Sequence, residues 1–166
     1  MKKVFLVLLL VILLSEISSL EDQNSNLSHY IGGAAGISTG FGLSYRYWPE
    51  EYGWQVVFTP MSDGADVMIN LGLGALKTLH ETTYTRLFLY LVGNGTYNNY
   101  EDYDYEEMVI NERKQTFESV IGIGPGLEIY LFNNIVIDIM FGFKYGFNGM
   151  FQGLGFTAET ALYYRF

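Results

Sequence analysis

The chain has 166 residues, of which 49% are hydrophobic, 17% aromatic and only 16% charged. This length allows one ordinary domain, and so aromatic a chain can bury too much apolar surface to stay disordered. Its 9 Lys and Arg against 18 Asp and Glu give a formal charge of −9, which disfavours nucleic acid as a partner. The absence of cysteine excludes disulfides, thiolate metal sites and thiol catalysis.

The N-terminal segment has the order of a secretory signal peptide. Two lysines, Lys2 and Lys3, precede the apolar run 4–14, and a polar stretch follows at 15–19. The run is too short for a membrane-spanning helix, which needs about 20 apolar residues. We predict a cleaved signal peptide at 1–20 and a single mature domain at 21–166. An uncleaved membrane anchor is the alternative.

The rest of the chain alternates with period two, the pattern of β-strands. Alternation is clearest at 116–132 and 135–145, which are joined by Asn133 and Asn134, a pair that tolerates the backbone of a two-residue hairpin. The same pattern predicts eight strands, at 28–37, 41–48, 54–61, 67–78, 84–93, 116–132, 135–145 and 155–166.

The charged residues distinguish a membrane barrel from a soluble sandwich. Opposite the apolar face the strands carry bases and acids in equal number, together with many glycines. A solvated face would favour lysine and threonine, whereas the narrow interior of an eight-stranded barrel needs small residues and paired charges. The apolar face suits lipid. The predicted lumen charge network comprises Arg46, Arg86, Glu118, Glu128, Asp138, Lys144, Glu159 and Arg165.

The last strand carries the most specific pattern in the chain. Its apolar parity includes Phe156, Leu162, Tyr164 and the terminal Phe166. Here the sequence resembles the small bacterial outer-membrane β-barrel proteins of the OmpA-transmembrane, OmpX and OmpW kind, whose last strand ends in an aromatic residue read by the assembly machinery. The aromatic tract at 41–48 is also similar to a strand of such proteins.

This resemblance implies an all-β, eight-stranded, antiparallel up-and-down transmembrane barrel in a bacterial outer membrane. The four residues of the last strand would then form an assembly signal. The implied partners are outer-membrane lipid and, during biogenesis, periplasmic chaperones and the barrel-assembly machinery. We expect a monomer without cofactor or metal. The family shares architecture far more than activity, so no function is carried over with it.

The longest stretch without alternation, 96–115, is predicted to be an extracellular loop, because both termini of such barrels face the periplasm and the longer loops lie outside. It is rich in acids and tyrosines. Either it binds a divalent cation or it is a solvated acidic spacer, and its tyrosines would suit contact with a partner. The candidate surface residues are Tyr100, Glu101, Asp102, Tyr103, Asp104, Tyr105, Glu106 and Glu107.

Signals for catalysis are weak. A lipid-modifying enzyme would need histidine near the outer rim, but His29 and His80 both fall at the periplasmic rim of the predicted barrel. The glycines at 122, 124 and 126 lack the spacing of a dinucleotide-binding loop. We therefore predict a non-enzymatic barrel with a packed, charged lumen and a structural or surface-exposed role. The alternatives are a narrow porin-like channel for small solutes or ions, and an adhesion or binding module acting through 96–115.

Overall fold

The computed structural model describes residues 27–64, 66–104, 109–131 and 134–166; the predicted signal peptide lies outside this part of the chain. The strands are β1 (His29–Gly36), β2 (Gly40–Tyr47), β3 (Tyr52–Asp63), β4 (Asp66–Glu81), β5 (Thr85–Asp104), β6 (Val109–Leu131), β7 (Ile135–Gly146) and β8 (Gly153–Arg165). A single 3-10 turn, Gly149–Phe151, lies between β7 and β8. In these described ranges no helix has the length and apolar character to cross a membrane.

The eight strands form a closed antiparallel barrel in sequence order, as predicted from the alternation and the resemblance. Each strand pairs with the next, and β8 pairs back with β1 from Tyr30↔Arg165 to Gly36↔Glu159. At the end of this seam the backbones of His29 and Phe166 exchange two hydrogen bonds, of 3.0 and 2.8 Å. Closure therefore pairs the first and last strands, whose edges would otherwise be open to other chains.

The barrel is apolar outside and polar inside. Along β8, Glu159 and Tyr163 face the lumen and are 3% and 2% exposed, whereas Phe156 and Leu162 face outward and are 78% and 56% exposed. Exposure of such an outer surface to water is unfavourable, whereas its contact with the hydrocarbon of a membrane is favourable. Other large apolar side chains that point outward are Leu43, Leu73, Leu91, Ile123, Phe141 and Phe143.

Aromatic residues mark both ends of this apolar wall. At the end that holds the chain termini, called here the terminal rim, the ring of His29 lies 5.8 Å from that of Phe166, and Tyr45 lies 5.5 Å from Trp54. Towards the opposite end, the distal rim, the rings of Tyr145 and Phe147 are 5.3 Å apart. Two such belts are typical of membrane barrels, where aromatic side chains lie at the lipid headgroups.

The structure corrects the predicted loop at 96–115. β5 continues to Asp104 and β6 begins at Val109, so that most of this segment is a paired hairpin. The sequence did not reveal it because polar residues occupy both parities of this extension, so that apolar and polar residues do not alternate along it. Residues 105–108, and with them Tyr105, Glu106 and Glu107, lie outside the described residues, as does Asn133 of the predicted two-residue turn.

Candidate functional site: the barrel lumen

The predicted lumen residues separate into three places along the barrel axis. Four of them, Arg46, Arg86, Glu128 and Asp138, meet in the half of the lumen near the terminal rim, and Arg165 lies beside them. Glu159 lies deeper, towards the distal rim, with different partners. The last two, Glu118 and Lys144, lie at the distal rim. The structure thus replaces the single network expected from the sequence with one charged layer and two separate sites.

The charged layer is built around Arg46, whose side chain is fully buried. Its Nη1 lies 3.0 Å from Oε2 of Glu128, and its Nη2 forms an ion pair with Asp138. Its Nε and Nη2 donate to the side-chain oxygen of Gln55, at 3.2 and 2.7 Å. The two acids face each other across β6 and β7, so one guanidinium fork compensates both carboxylates. We call Arg46, Arg86, Glu128 and Asp138 the Arg46 layer.

Aromatic rings fill the space around this guanidinium. The Cζ atom of Arg46 lies 4.4 Å from the ring centre of Tyr163, 5.5 Å from that of Trp48 and 5.7 Å from that of Tyr30. All three rings are at most 2% exposed. Stacking of a desolvated guanidinium on aromatic faces adds to its stabilisation by the acids. This cross-section of the lumen is therefore filled with side chains.

Arg86 extends the layer towards the terminal rim. Its Nη2 donates to Oε1 of Glu81 at 2.9 Å, its Nη1 lies 3.7 Å from Glu128, and its Cζ lies 4.4 Å from the ring centre of Trp48. Further out, the hydroxyl of Tyr130 donates to Glu81 at 2.8 Å, and the guanidinium of Arg165 lies over the Tyr130 ring, at 4.8 Å. Charged and aromatic groups thus continue to the mouth of the barrel.

The two charged residues at the distal rim, Glu118 and Lys144, take part in none of the ion pairs found within the described residues. The ammonium of Lys144 donates to the backbone carbonyl of Phe151 at 2.9 Å, and Glu118 accepts from the backbone N–H of Met150 at 3.3 Å. Both residues therefore fix the loop between β7 and β8. They do not balance the lumen charge.

Glu159 is nearly fully buried, and its partners carry no charge. Its carboxylate accepts the backbone N–H groups of Ser38 and Thr39, both at 3.0 Å, and the hydroxyls of Ser38, Thr39 and Thr157. The ion pairs of the described residues do not include Glu159. Several donors converging on one carboxylate compensate for the loss of its water.

The uncharged members of these sites were not predicted from the sequence. Gln55 on β3 and Tyr30 on β1 could have been found, because both lie at lumen-facing positions that alternate with outward-facing neighbours. Ser38 and Thr39 had no such signal, since they lie in the turn between β1 and β2 and belong to no alternating run.

The four residues of the predicted assembly signal share the outward parity of β8. Phe156 packs against Phe143 with ring centres 4.9 Å apart, and Leu162 is exposed on the wall. At the terminal rim the rings of Tyr164 and Phe166 lie 6.5 Å apart. In the folded barrel these residues belong to the outer surface and to the seam with β1.

The candidate surface residues that the structure describes, 100–104, lie on β5. They belong to the paired extension of β5 and β6, residues 96–104 and 109–115, called here the distal hairpin. Tyr100 is 37% exposed, and Glu101 forms a long ion pair of 3.9 Å with Arg113 on the opposing strand. The backbone N–H of Glu101 donates to Asp66 at 3.1 Å, which ties the hairpin to the start of β4. Asp102, Tyr103 and Asp104 continue β5.

Two observations bear on catalysis and metal binding. The ring of His29 lies at the terminal rim, with Nδ1 2.7 Å from the hydroxyl of Tyr45, and His80 lies near the end of β4 at the same rim. Among the described residues, no group of three or more histidine and acidic side chains is arranged to hold a metal ion.

The closed barrel, its apolar wall and its charged core define a transmembrane β-barrel of the bacterial outer-membrane class. The N-terminal β-barrel domain of OprF from Pseudomonas aeruginosa has the same fold: the two are 17% identical, the match covers 87% of this chain and 100% of that one, and the TM-score is 0.54.

Two further solved structures match at lower TM-scores. Ail, the attachment invasion locus protein of Yersinia pestis, is 17% identical over 84% of this chain and 97% of its own, with a TM-score of 0.45. Neisserial surface protein A is 12% identical over 83% of this chain and 93% of its own, with a TM-score of 0.46. No protein-family model matches the sequence, and no curated protein matches it.

Proposed function

We propose that this protein is a non-enzymatic, monomeric outer-membrane barrel with a closed lumen, and that its role is structural or is performed at the cell surface. The observation that carries the proposal is the Arg46 layer. Arg46, Glu128 and Asp138 are fully buried within a closed eight-stranded wall, in a cross-section that aromatic rings complete. An eight-stranded barrel has room for little more than its own side chains.

A closed lumen predicts the absence of conductance. Purified protein in planar lipid bilayers should give no stable single-channel steps, because ions would have to pass buried, paired charges and aromatic rings. Stable, ion-selective steps from the wild-type protein would contradict this and would favour the alternative of a narrow porin-like channel for small solutes or ions.

The proposal places the terminal rim in the periplasm and the distal hairpin outside the cell. Since the chain has no cysteine, one introduced thiol reports its own location. Tyr100→Cys on the distal hairpin should react with a membrane-impermeant thiol reagent in intact cells, whereas Tyr84→Cys, 73% exposed at the terminal rim, should react only after the outer membrane is opened. The opposite pattern would invert the orientation.

Assembly in the outer membrane is proposed to depend on the C-terminal aromatic residue, through contacts with periplasmic chaperones and the barrel-assembly machinery. Deletion of Phe166 also removes the backbone bonds to His29 that end the β1–β8 seam. We expect a sharply lower outer-membrane level with unchanged processing of the N-terminal segment. Phe166→Tyr, which keeps an aromatic ring and the backbone bonds, is the control. Equal membrane levels for the deletion and the control would argue against an assembly signal.

The second candidate function, adhesion or partner binding, is favoured by the length of the distal hairpin. Its two strands remain paired as far as Asp104↔Val109, beyond the ends of the other strands. Replacing Glu101, Asp102, Asp104, Glu106 and Glu107 by Gln or Asn should leave the barrel folded. Loss of cell-surface binding in this variant, but not in Glu118→Gln, would support the second candidate. Unchanged binding would leave the hairpin as a solvated spacer.

A further inference from the structure

The turn between β1 and β2, residues 37–39, lies inside the barrel. Ser38 is 0% and Thr39 1% exposed. Turns between strands normally run over the surface, where water satisfies their backbone groups. Here protein groups replace that water, so this buried turn requires a specific set of partners.

The partners of the turn come from the neighbouring strand β8 and from β4 and β5, which do not pair with β1. Glu159 on β8 accepts both backbone N–H groups of Ser38 and Thr39. From β5, the side-chain amide of Asn94 donates to the carbonyl of Ile37 at 3.5 Å. From β4, the side-chain oxygen of Asn70 accepts the N–H of Phe41, just after the turn, at 3.3 Å. The turn therefore spans the lumen from one wall to the other.

Two glycines on the lumen face provide the space that the turn occupies. A Cβ atom at Gly72 on β4 would lie 2.0 Å from the carbonyl oxygen of Thr39, and one at Gly122 on β6 would lie 2.2 Å from Oγ of Ser38. Contacts this short are sterically forbidden, so any larger residue at Gly72 would displace the turn. The small residues of the lumen face are thus matched to the turn as well as to side chains.

The chemistry of the Glu159 contacts differs from that of the Arg46 layer. All of the donors to Glu159 are neutral amides or hydroxyls, and water can replace each of them when the turn moves outward. The turn is also flanked by Gly36 and Gly40, and Gly40 has a φ of 80°, which a residue with a side chain rarely adopts. These features fit a segment that can leave its site while the strands stay paired.

We propose that the β1–β2 turn is a plug, held by Glu159, that closes the distal half of the lumen and can be released without opening the Arg46 layer. The lumen is then blocked at two levels, by the turn in the distal half and by the Arg46 layer nearer the terminal rim. Release of the turn opens a pocket that extends from the distal rim to the Arg46 layer. The inference rests on the closed lumen proposed above and adds a conformational device to it.

The test uses a thiol placed between the two closures. Ala34 is 6% exposed on the lumen face of β1, between the turn and Tyr30, whose hydroxyl contacts Glu128 and Arg86 of the Arg46 layer. Ala34→Cys would be the single thiol of the chain. In the folded barrel we expect slow labelling by a bulky, water-soluble thiol reagent. Adding Glu159→Ala should raise the labelling rate about tenfold or more, the change expected when buried hydrogen bonds are lost.

A matched control is Glu118→Ala, which removes a lumen-facing carboxylate that contacts Met150 and not the turn. A second route to release is Gly72→Ala, which acts from the opposite wall. Its control, Gly74→Ala on the same strand and face, would meet a side-chain methyl of Val92 and not the turn. Heat-modifiable migration on gels verifies that each variant is folded.

The outcomes are distinct. Faster labelling with Glu159→Ala or Gly72→Ala, but not with Glu118→Ala or Gly74→Ala, supports the plug. Equal rates in all folded variants would overturn it, as would rapid labelling of Ala34→Cys alone. Should Glu159→Ala fail to fold, the comparison of the two glycine variants decides. Channel steps from the wild-type protein would contradict the closed barrel, whereas unchanged labelling without such steps would contradict only the plug.

Discussion

The two closed regions of the lumen compensate buried carboxylates in different ways. In the Arg46 layer, Glu128 and Asp138 share a fully buried guanidinium, and rigid paired strands hold all three groups. In the distal half, Glu159 is compensated by neutral donors that a turn brings into the lumen. Strands cannot turn their side chains out of the lumen, but a turn can move into water. The comparison indicates that the first region is a fixed part of the fold and the second a removable one.

The charged layer should show the largest effect of substitution. Arg46→Ala leaves Asp138 buried without its ion-pair partner and Glu128 with only the longer contact to Arg86, and neither acid can reach water while the strands stay paired. We expect the free energy of unfolding to fall by about 3–5 kcal/mol. Urea unfolding of the protein refolded in lipid vesicles measures this change. A loss below about 1 kcal/mol would mean that the acids are compensated in another way, and would remove the contrast between the two regions.

Glu159→Ala should cost less than Arg46→Ala. The N–H groups of Ser38 and Thr39 lose their acceptor, but the released turn can hydrogen-bond to water. We expect a loss of about 1–3 kcal/mol, measured in the same unfolding experiment. The control Ser119→Ala removes a hydroxyl near the distal rim that contacts Asn148 and not the turn. A loss equal to that of Arg46→Ala would indicate that the turn cannot leave the lumen, and would make both regions fixed.

The fold could be predicted from the sequence because a membrane barrel imposes alternation on its strands. Where lipid lies on one side and the lumen on the other, as at Leu127 and Glu128, successive residues must differ. Apart from the distal ends of β5 and β6, the predicted strand ends therefore agree with the observed ones to within a few residues. Beyond Asn94 and before Thr116 that constraint ends, and the pairing of the distal hairpin was missed. The distal hairpin is paired although its sequence lacks the alternation that marks the membrane-spanning strands.

The lumen was predicted less completely than the wall. Counting four bases and four acids on one face placed all eight side chains towards the interior, but charge balance does not say which groups meet. Lys144 contacts a backbone carbonyl, and Glu159 contacts neutral donors. The predicted strands 28–37 and 41–48 leave room only for a short turn between them, whereas the burial of that turn depends on Gly72 and Gly122 from distant strands. Such long-range complementarity leaves no local pattern in the sequence.

The smallest effect is expected at the exposed ion pair of the distal hairpin, which separates the contribution of charge from that of burial. The side chains of Arg113 and Glu101 are 48% and 41% exposed, and their closest atoms are 3.9 Å apart. A pair in water gains little, because solvent and salt screen it, so Arg113→Ala should change the free energy of unfolding by about 0–1 kcal/mol. The double variant with Glu101→Ala isolates the energy of the pair itself, since a double-mutant cycle cancels the contributions of the other contacts of each residue.

The coupling energy of this pair should decrease further at high salt, whereas the effect of Arg46→Ala should not, because the Arg46 layer is shielded from the solution. A coupling at Arg113 as large as the loss at Arg46 would show that burial is not what makes the Arg46 layer the stronger closure, and the distinction between a fixed and a removable region of the lumen would fail.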